Sequence, residues 1–351
     1  MDKTEKTFPE QRPYEPSIVD RLNDWVERLP LPALIFQILL GLALIFFQVI
    51  CLGLEGGLYA KELLPVIIFN GAAVPFLLAR IHLLNREAVA AVNSMRPMLE
   101  MNQAEFDDYR YRLSTMPFWG PLIAGTILTA SVILTPLVSN PPARYAALVD
   151  LPVFSVVYHI IDKLSAFLFG VILYHTFRQL RLINSINSRH LRINLFHLRT
   201  LNAFSRLTAS TALGLLFFIY LWMLINPELL ADPVLIAYSV LLTSLAVIIF
   251  VWPLWGIHKL MEDKKVQALH DIDLRFETLF KELNRSIDED NHEETDRLNR
   301  TIASLDVQYT RISDVPTWPW RAETARLVLT AIAIPLVLMV LQYFVLQALN
   351  R

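Results

Sequence analysis

The chain has 351 residues, of which 54% are hydrophobic, and a formal net charge of −2. This apolar share exceeds the ~45 to 50% that is typical of soluble domains, and the mean hydropathy is +0.43. The composition excludes an ordinary soluble protein and indicates an integral membrane protein. We therefore expect the lipid bilayer as its surroundings and no nucleic-acid partner.

Seven apolar segments are long enough to cross a bilayer. A hydrocarbon core of about 30 Å requires roughly 20 helical residues at about 1.5 Å per residue. The segments are continuous and lack the alternation that is typical of barrel strands. The sequence thus predicts an all-α, polytopic helix bundle with spans near 31–54, 63–84, 117–138, 152–176, 207–226, 233–257 and 325–348.

The connections between these spans predict four consecutive parts of the chain. The first thirty residues are polar and lack the pattern of a signal peptide, so the first span is expected to serve as the insertion signal. They are a cytoplasmic N-terminal segment (1–30), a six-span bundle (31–257) with two cytoplasmic helical loops (85–115 and 177–206), a cytoplasmic helical hairpin (258–316) and a seventh transmembrane helix (317–351).

The distribution of lysine and arginine predicts the orientation. Of the 31 residues of these two types, 27 lie before the first span or near the connections that follow spans two, four and six. The other side holds Lys61, Arg144 and Arg351. By the positive-inside rule the N-terminus is cytoplasmic and the C-terminus is outside. We expect a multi-pass protein of the plasma (inner) membrane.

Two heptad stripes follow the sixth span and predict two antiparallel helices, at about 259–287 and 291–313. Asn291 with Glu294 three residues later is typical of a helix start. Two interpretations are open: the stripes pack on each other, or they form a coiled-coil contact with a cytoplasmic protein or a second copy of the chain. The stripes consist of Leu269, Ile272, Phe276, Leu279 and Leu283, and of Leu298, Ile302, Leu305, Tyr309 and Ile312.

Short matches between the two halves of the chain indicate a parallel internal repeat, in which helices 1–3 correspond to helices 5–7. The tripeptide Leu-Gly-Leu at 40–42 recurs at 213–215, and Leu-Thr-Ala at 128–130 recurs at 329–331. The alternative is that apolar segments match by chance.

The fourth span carries a polar cluster about halfway along its length, formed by Tyr158, His159, Asp162 and Lys163. A central Asp or Lys costs about 2.5 to 3.5 kcal/mol on insertion scales, so we expect these side chains to face the bundle interior. Polar residues on other spans, such as Gln48 and Asn70, are candidate partners. The cluster fits a polar contact that fixes helix packing, a proton or ion pathway, or an enzyme site.

A basic run follows the fourth span and is a candidate patch for an anionic ligand or for lipid headgroups. It contains Arg178, Arg181, Arg189, Arg192 and Arg199. The neighbouring histidines, His175, His190 and His197, lack the spacing of a metal site.

Motifs of enzymes are missing from the sequence, including phosphate-binding glycine loops and nucleophile or zinc motifs. The single cysteine, Cys51, lies inside the first span and predicts neither a disulfide nor a Cys-based metal site. We therefore expect no enzyme activity, no cofactor and no metal. The best interpretation is a sensor or scaffold whose cytoplasmic helices contact a partner, and the alternative is a channel or transporter-like conduit through the fourth span.

Overall fold

The computed structural model describes residues 13–57, 61–139, 145, 148–190, 198–226, 232–318, 323, 325–333 and 337, without the side chains of 187–190, 198–205, 233 and 253. Within these residues the secondary structure is helical and contains no β-strand. The α-helices are α1 (Ile18–Arg28), α2 (Ala33–Leu54), α3 (Leu64–Met95), α4 (Gln103–Ser114), α5 (Trp119–Leu134), α6 (Pro152–His190), α7 (Leu198–Ile225), α8 (Pro233–Asp288) and α9 (His292–Ser313).

Six of the described helices are long and apolar enough to cross a membrane, which confirms the prediction of an all-helical membrane protein. They are α2, α3, α5, α6, α7 and α8, with the fifth of them spanning Arg206–Ile225 within α7. The seventh predicted span is helical over residues 325–333, and most of the remainder lies outside the described residues.

Three spans extend well beyond their predicted ends, because the prediction ended each one where the hydropathy falls. α3 continues to Met95, α6 to His190 and α8 to Asp288. Beyond its apolar part, each helix continues through residues with good helix propensity and meets no proline there. The helix predicted at 259–287 is thus not separate from the sixth span. α8 is one helix of 56 residues, about 84 Å long at about 1.5 Å per residue.

Helices α3 and α6 form the centre of the bundle, because each packs against several other spans. A Cβ added at Gly170 of α6 would lie 2.5 Å from the carbonyl oxygen of Ala124 and 2.8 Å from the Cα of Gly125 on α5. Only glycine at this position permits so close a crossing, as is common between membrane helices.

Helix α1 lies within the N-terminal segment that was predicted to be polar. Ser17 and Asp20 form a capping box at its start, which fixes the first turn. Its side chains Ile18, Leu22 and Trp25 are exposed and recur on one face. A helix with such a face is suited to lie in the membrane interface.

Helix α9 runs back along the last third of α8. Near the turn, the Ser286 and Thr295 hydroxyl oxygens lie 3.0 Å apart, and farther along the Phe276 and Tyr309 rings meet edge to face at 6.5 Å. At the other end, Lys265 Nζ donates to the carbonyl oxygen of Val315 at 3.0 Å. Among the stripe residues, Ile272, Leu298 and Leu305 are buried and the other seven are partly buried.

Candidate functional site

A cavity of about 240 Å³ lies between α3, α5, α6, α7 and the first turns of α8. We call the end of the bundle that faces α9 the α9 side and the other end the opposite side. Leu235, Tyr238 and Leu242 of α8 line the cavity near the start of that helix, so it lies in the half of the bundle nearer the opposite side. Its volume suffices for several water molecules or a small organic group.

Aromatic side chains make up much of the cavity wall. Such rings provide apolar contact area, and their faces also attract cations. The ring-bearing residues are Phe69, Tyr145, Tyr158, Phe169, Phe218, Trp222 and Tyr238.

The charge in the cavity wall belongs to Asp162, and no other ionised side chain that the structure describes lines it. Asp162 Oδ2 accepts a hydrogen bond from Lys163 Nζ at 2.6 Å, and the two side chains are 33% and 28% exposed. A carboxylate in a membrane span persists where it is paired or faces a cavity. Asp162 meets both conditions.

The prediction that His159 faces the bundle interior is wrong. Its side chain is exposed on the outside of the bundle, whereas the preceding Tyr158 is buried. Successive helical residues point about 100° apart, so burying Tyr158 among α2 and α3 turns His159 toward the lipid. Asp162 and Lys163 are partly exposed rather than buried. The four side chains point in too wide a range of directions around the helix for all of them to lie on its packed face.

Buried amides close the wall next to Tyr158. Asn70 Nδ2 donates to Gln48 Oε1 at 3.2 Å and to the carbonyl oxygen of Tyr158 at 3.1 Å. Nearer the opposite side, Tyr145 OH donates to Asn226 Oδ1 at 2.7 Å. Gln48 and Asn70 therefore lie next to the predicted cluster. Asn70 bonds to the backbone of Tyr158 rather than to a charged side chain of the cluster.

An aromatic stack separates the cavity from the α9 side. The rings of Phe169 and Phe218 stack at 5.2 Å, and those of Phe218 and Phe76 stack at 5.9 Å. Buried aliphatic side chains such as Leu77 and Ile172 continue this core. Within the described residues, the cavity thus ends against apolar packing and does not continue as a polar path.

A second polar network, which the sequence analysis did not predict, joins α6 to the N-terminal segment and to the connection between α4 and α5. Arg178 Nη1 donates to the carbonyl oxygen of Arg112 at 2.7 Å and also to that of Thr115. Its Nη2 donates to Tyr14 OH at 2.5 Å, and the guanidinium lies 5.1 Å from the centroid of the Tyr14 ring. Burial raises the pKa of Tyr14, against the opposing effect of Arg178.

Asp20 provides a further connection in this network. Its Oδ2 accepts from Met116 N at 2.7 Å and from Ser17 Oγ at 2.7 Å, while Oδ1 is buried without a partner among the described residues. Burial raises the pKa of Asp20 to about 6, and the hydrogen bonds from Met116 and Ser17 oppose this shift. The carboxyl group therefore changes charge close to physiological pH.

His175 and Gln179 extend the network one turn along α6. Gln179 Nε2 donates to the carbonyl oxygen of Leu113 at 2.6 Å, and His175 Nε2 lies 2.5 Å from Asn85 Oδ1. The spacing of 175, 178 and 179 on one helical face was the available signal for this contact surface. From the sequence, Arg178 was instead assigned to the basic patch, with His175 beside it.

The predicted basic patch is divided between different surroundings. Arg178 is half-buried in the network above, while Arg181 is exposed. The Arg192 backbone and the Arg189 and Arg199 side chains lie outside the described residues. The patch as an anionic-ligand site stays a prediction.

In the described part of the chain, no three His, Cys, Asp or Glu residues lie together in a way that could hold a metal ion. No protein-family model, no curated protein and no solved structure matches the chain. The class that the structure defines is a multi-pass helical membrane protein with a long helix projecting beyond the bundle.

Proposed function

We propose that this protein is a non-enzymatic membrane sensor or scaffold, and that its projecting helices bind a second copy of the chain. The proposal rests on one observation. α8 lines the cavity with Leu235, Tyr238 and Leu242, and the same helix continues without a break to Asp288. A single stiff helix of this kind transmits a tilt or rotation at the cavity to the far end of the molecule.

The face of α8 that α9 leaves uncovered carries a row of apolar side chains. Val266, Phe280 and Ile287 are 61%, 48% and 55% exposed. They are separated by 14 and 7 residues, which is the heptad spacing of a helix seam. Asp273 occupies the position between Val266 and Phe280 in the same row. Exposed apolar rows of this kind mark interaction surfaces.

A second copy is the partner that fits this row best. Two copies in one membrane share the same orientation, so a twofold axis along the membrane normal brings the row of one copy against the same row of the other. The row then packs against the same row of the second copy, and no other contact between the two bundles is needed.

The experiment compares glutamate substitutions on and off the row. Phe280→Glu and Ile287→Glu should convert dimers of the full-length protein in lipid nanodiscs to monomers, measured by mass photometry. Leu274→Glu is the matched control, because Leu274 is also exposed on α8 but lies off the row. Wild-type monomers, or equal loss in all three variants, would contradict the proposal. If wild-type dimers form, Asp273→Leu should strengthen them by completing the row.

The alternative function is a conduit for ions or protons. The observation that favours it is the Asp162 carboxylate in the wall of an intramembrane cavity. The aromatic stack of Phe169, Phe218 and Phe76 would have to move for a path to open. Flux into liposomes that depends on Asp162 would favour the conduit over the scaffold.

We also propose the topology that the cation distribution predicts, with seven spans, a cytoplasmic N-terminus, an external C-terminus and insertion in the plasma (inner) membrane. In this topology the α8 and α9 extension forms the cytoplasmic hairpin of residues 258–316, and helices 1–3 and 5–7 form a parallel repeat. A reporter fused at Arg351 should report an external position. A cytoplasmic signal at this position would contradict both the seventh span and the parallel repeat.

A further inference from the structure

A second hollow lies on the outside of the bundle, between α3, α7 and residues 323 and 327. Its volume is about 560 Å³ and it is wide open to the surroundings of the bundle. Two arginines, Arg80 and Arg206, share this groove with apolar walls that include Phe76 and Phe217. A charged floor beside apolar walls at the surface of a membrane bundle resembles neither packed core nor ordinary lipid-facing surface.

Arg80 brings a permanent charge into the membrane-spanning part of α3. It lies 16 residues after Leu64, where that helix begins, which is about 24 Å along the axis and thus near the α9 side of a 30 Å hydrocarbon core. Its Nη2 donates to the carbonyl oxygen of Ser210 at 2.8 Å. Nε and Nη1 have no hydrogen-bond acceptor among the described residues. A guanidinium carries five N–H donors, so most of them are left for a ligand.

The backbone of α7 is shaped to hold this side chain. A Cβ added at Gly214 would lie 2.5 Å from Arg80 Nε, so the guanidinium lies flat against the glycine. Ser210 Oγ donates to Glu87 Oε1 at 3.2 Å, and Glu87 makes no ion pair with Arg80 within 4.0 Å. Glu87 does not line the groove.

Arg206 supplies the second charge of the groove. It is the first residue of the membrane-spanning part of α7, its side chain is exposed, and it makes no ion pair or hydrogen bond with the part of the chain that the structure describes. Glu323 is the carboxylate that lines the groove, and it does not pair with either arginine within 4.0 Å. Among the described residues, two guanidinium groups and one carboxylate thus line the groove near the membrane interface.

We propose that this groove binds an anionic phospholipid of the leaflet on the α9 side. The lipid phosphate would take hydrogen bonds from Arg80 and Arg206, because guanidinium and phosphate match as charge-assisted, bidentate partners. One acyl chain would lie along Phe76, Phe217 and Leu327. Basic grooves between membrane helices are known to hold lipid headgroups in this way. The inference is independent of any dimer contact through α8.

The test measures lipid retention by full-length protein with native mass spectrometry, using phosphatidylglycerol and phosphatidylcholine in one detergent mixture. Wild type should retain phosphatidylglycerol in preference to phosphatidylcholine. Arg206→Gln should weaken phosphatidylglycerol binding about tenfold, as the loss of one charge-assisted hydrogen bond predicts. Arg86→Gln is the matched control, because Arg86 is an exposed arginine of α3 that lies outside both the groove and the predicted basic patch.

Two further variants test the arginine in the groove, and a competition experiment separates the possible sources of the phosphate. Arg80→Gln should also weaken binding, and Gly214→Ala should do so by displacing the guanidinium while keeping its charge. Millimolar inorganic phosphate should leave the bound lipid in place. The proposal is overturned if Arg206→Gln binds phosphatidylglycerol like wild type, if Arg86→Gln loses as much affinity, or if inorganic phosphate displaces the lipid.

Discussion

Helix α6 carries two polar clusters whose surroundings differ. Near its middle, Asp162 and Lys163 pair with each other, remain partly exposed and border a cavity. Sixteen residues after Asp162, Arg178 is held by oxygen atoms of two segments, the N-terminal segment at Tyr14 and the end of α4 at Arg112 and Thr115. The first cluster leaves a charged group facing open space, whereas the second uses its donors within the protein.

The two clusters show how a candidate site differs from a structural contact in a membrane helix. Asp162, Lys163 and Arg178 are all partly exposed. What differs is that Asp162 bonds to its neighbour in sequence and borders a cavity, whereas Arg178 bonds to oxygen atoms of distant segments. Arg178 is a structural contact by this criterion, and Asp162 is the better candidate for contact with a ligand or ion.

The largest effect is expected at Arg178. Arg178→Met removes the donors to Thr115, Arg112 and Tyr14, and should lower the free energy of unfolding by about 3 kcal/mol, because buried acceptors then lose charged partners. Thermal unfolding in detergent measures this loss. Arg181→Met, which changes an exposed arginine on the same helix, should shift stability by less than about 0.5 kcal/mol. Equal effects of both variants would show that Arg178 is not a structural contact.

A smaller loss is expected at Asp162. Asp162→Asn leaves Lys163 unpaired in a membrane span, and should cost about 1 to 2 kcal/mol, which is below the 3 to 5 kcal/mol typical of a fully buried pair because both side chains are partly exposed. The double variant Asp162→Asn with Lys163→Met should recover most of this loss in the same unfolding assay.

The double variant also tests what the cavity does. If the protein has a measurable flux in liposomes and the folded double variant keeps it unchanged, the conduit through Asp162 is wrong. Loss of flux with preserved stability would instead make the Asp162 cluster functional rather than structural.

The smallest effect is a pH dependence from Asp20. Its pKa in the folded protein, about 6, lies above the ordinary value of 3.8, so the folded state binds the proton more tightly. The resulting stability is fully present below the ordinary pKa and is lost as the pH rises through 6. Stability should increase by about 1 kcal/mol as the pH falls from 7 to 5. Asp20→Asn should remove this slope, whereas the exposed Glu15→Gln should leave it unchanged.

The sequence predicted the membrane class and the positions of six spans, because hydropathy over about 20 residues is a strong signal. It also predicted the start of α9, since Asn291 accepts a hydrogen bond from Glu294 N at 3.2 Å. It predicted helix at 85–115, 177–206 and 259–287 after the second, fourth and sixth spans, but not that α3, α6 and α8 continue unbroken out of those spans, because falling hydropathy marks the limit of the apolar part and not the end of a helix.

The sites were harder to predict than the spans. His159 was assigned to the interior because the four polar residues were treated as one face, although neighbouring helical positions diverge by about 100°. The contacts of Arg178 join residues more than 60 positions apart, and those of Arg80 join residues 130 positions apart. Local spacing carries no information on such pairs.

Disulfide cross-linking in native membranes tests directly whether the projecting part of α8 joins two copies. Cys51 is buried within the first span, so Cys51→Ser gives a background without cysteine. On that background, Phe280→Cys and Ile287→Cys should each form covalent dimers under mild oxidation, and Leu274→Cys should remain monomeric. Monomers for both row positions, or equally strong dimers for Leu274→Cys, would show that α8 does not join two copies through this row.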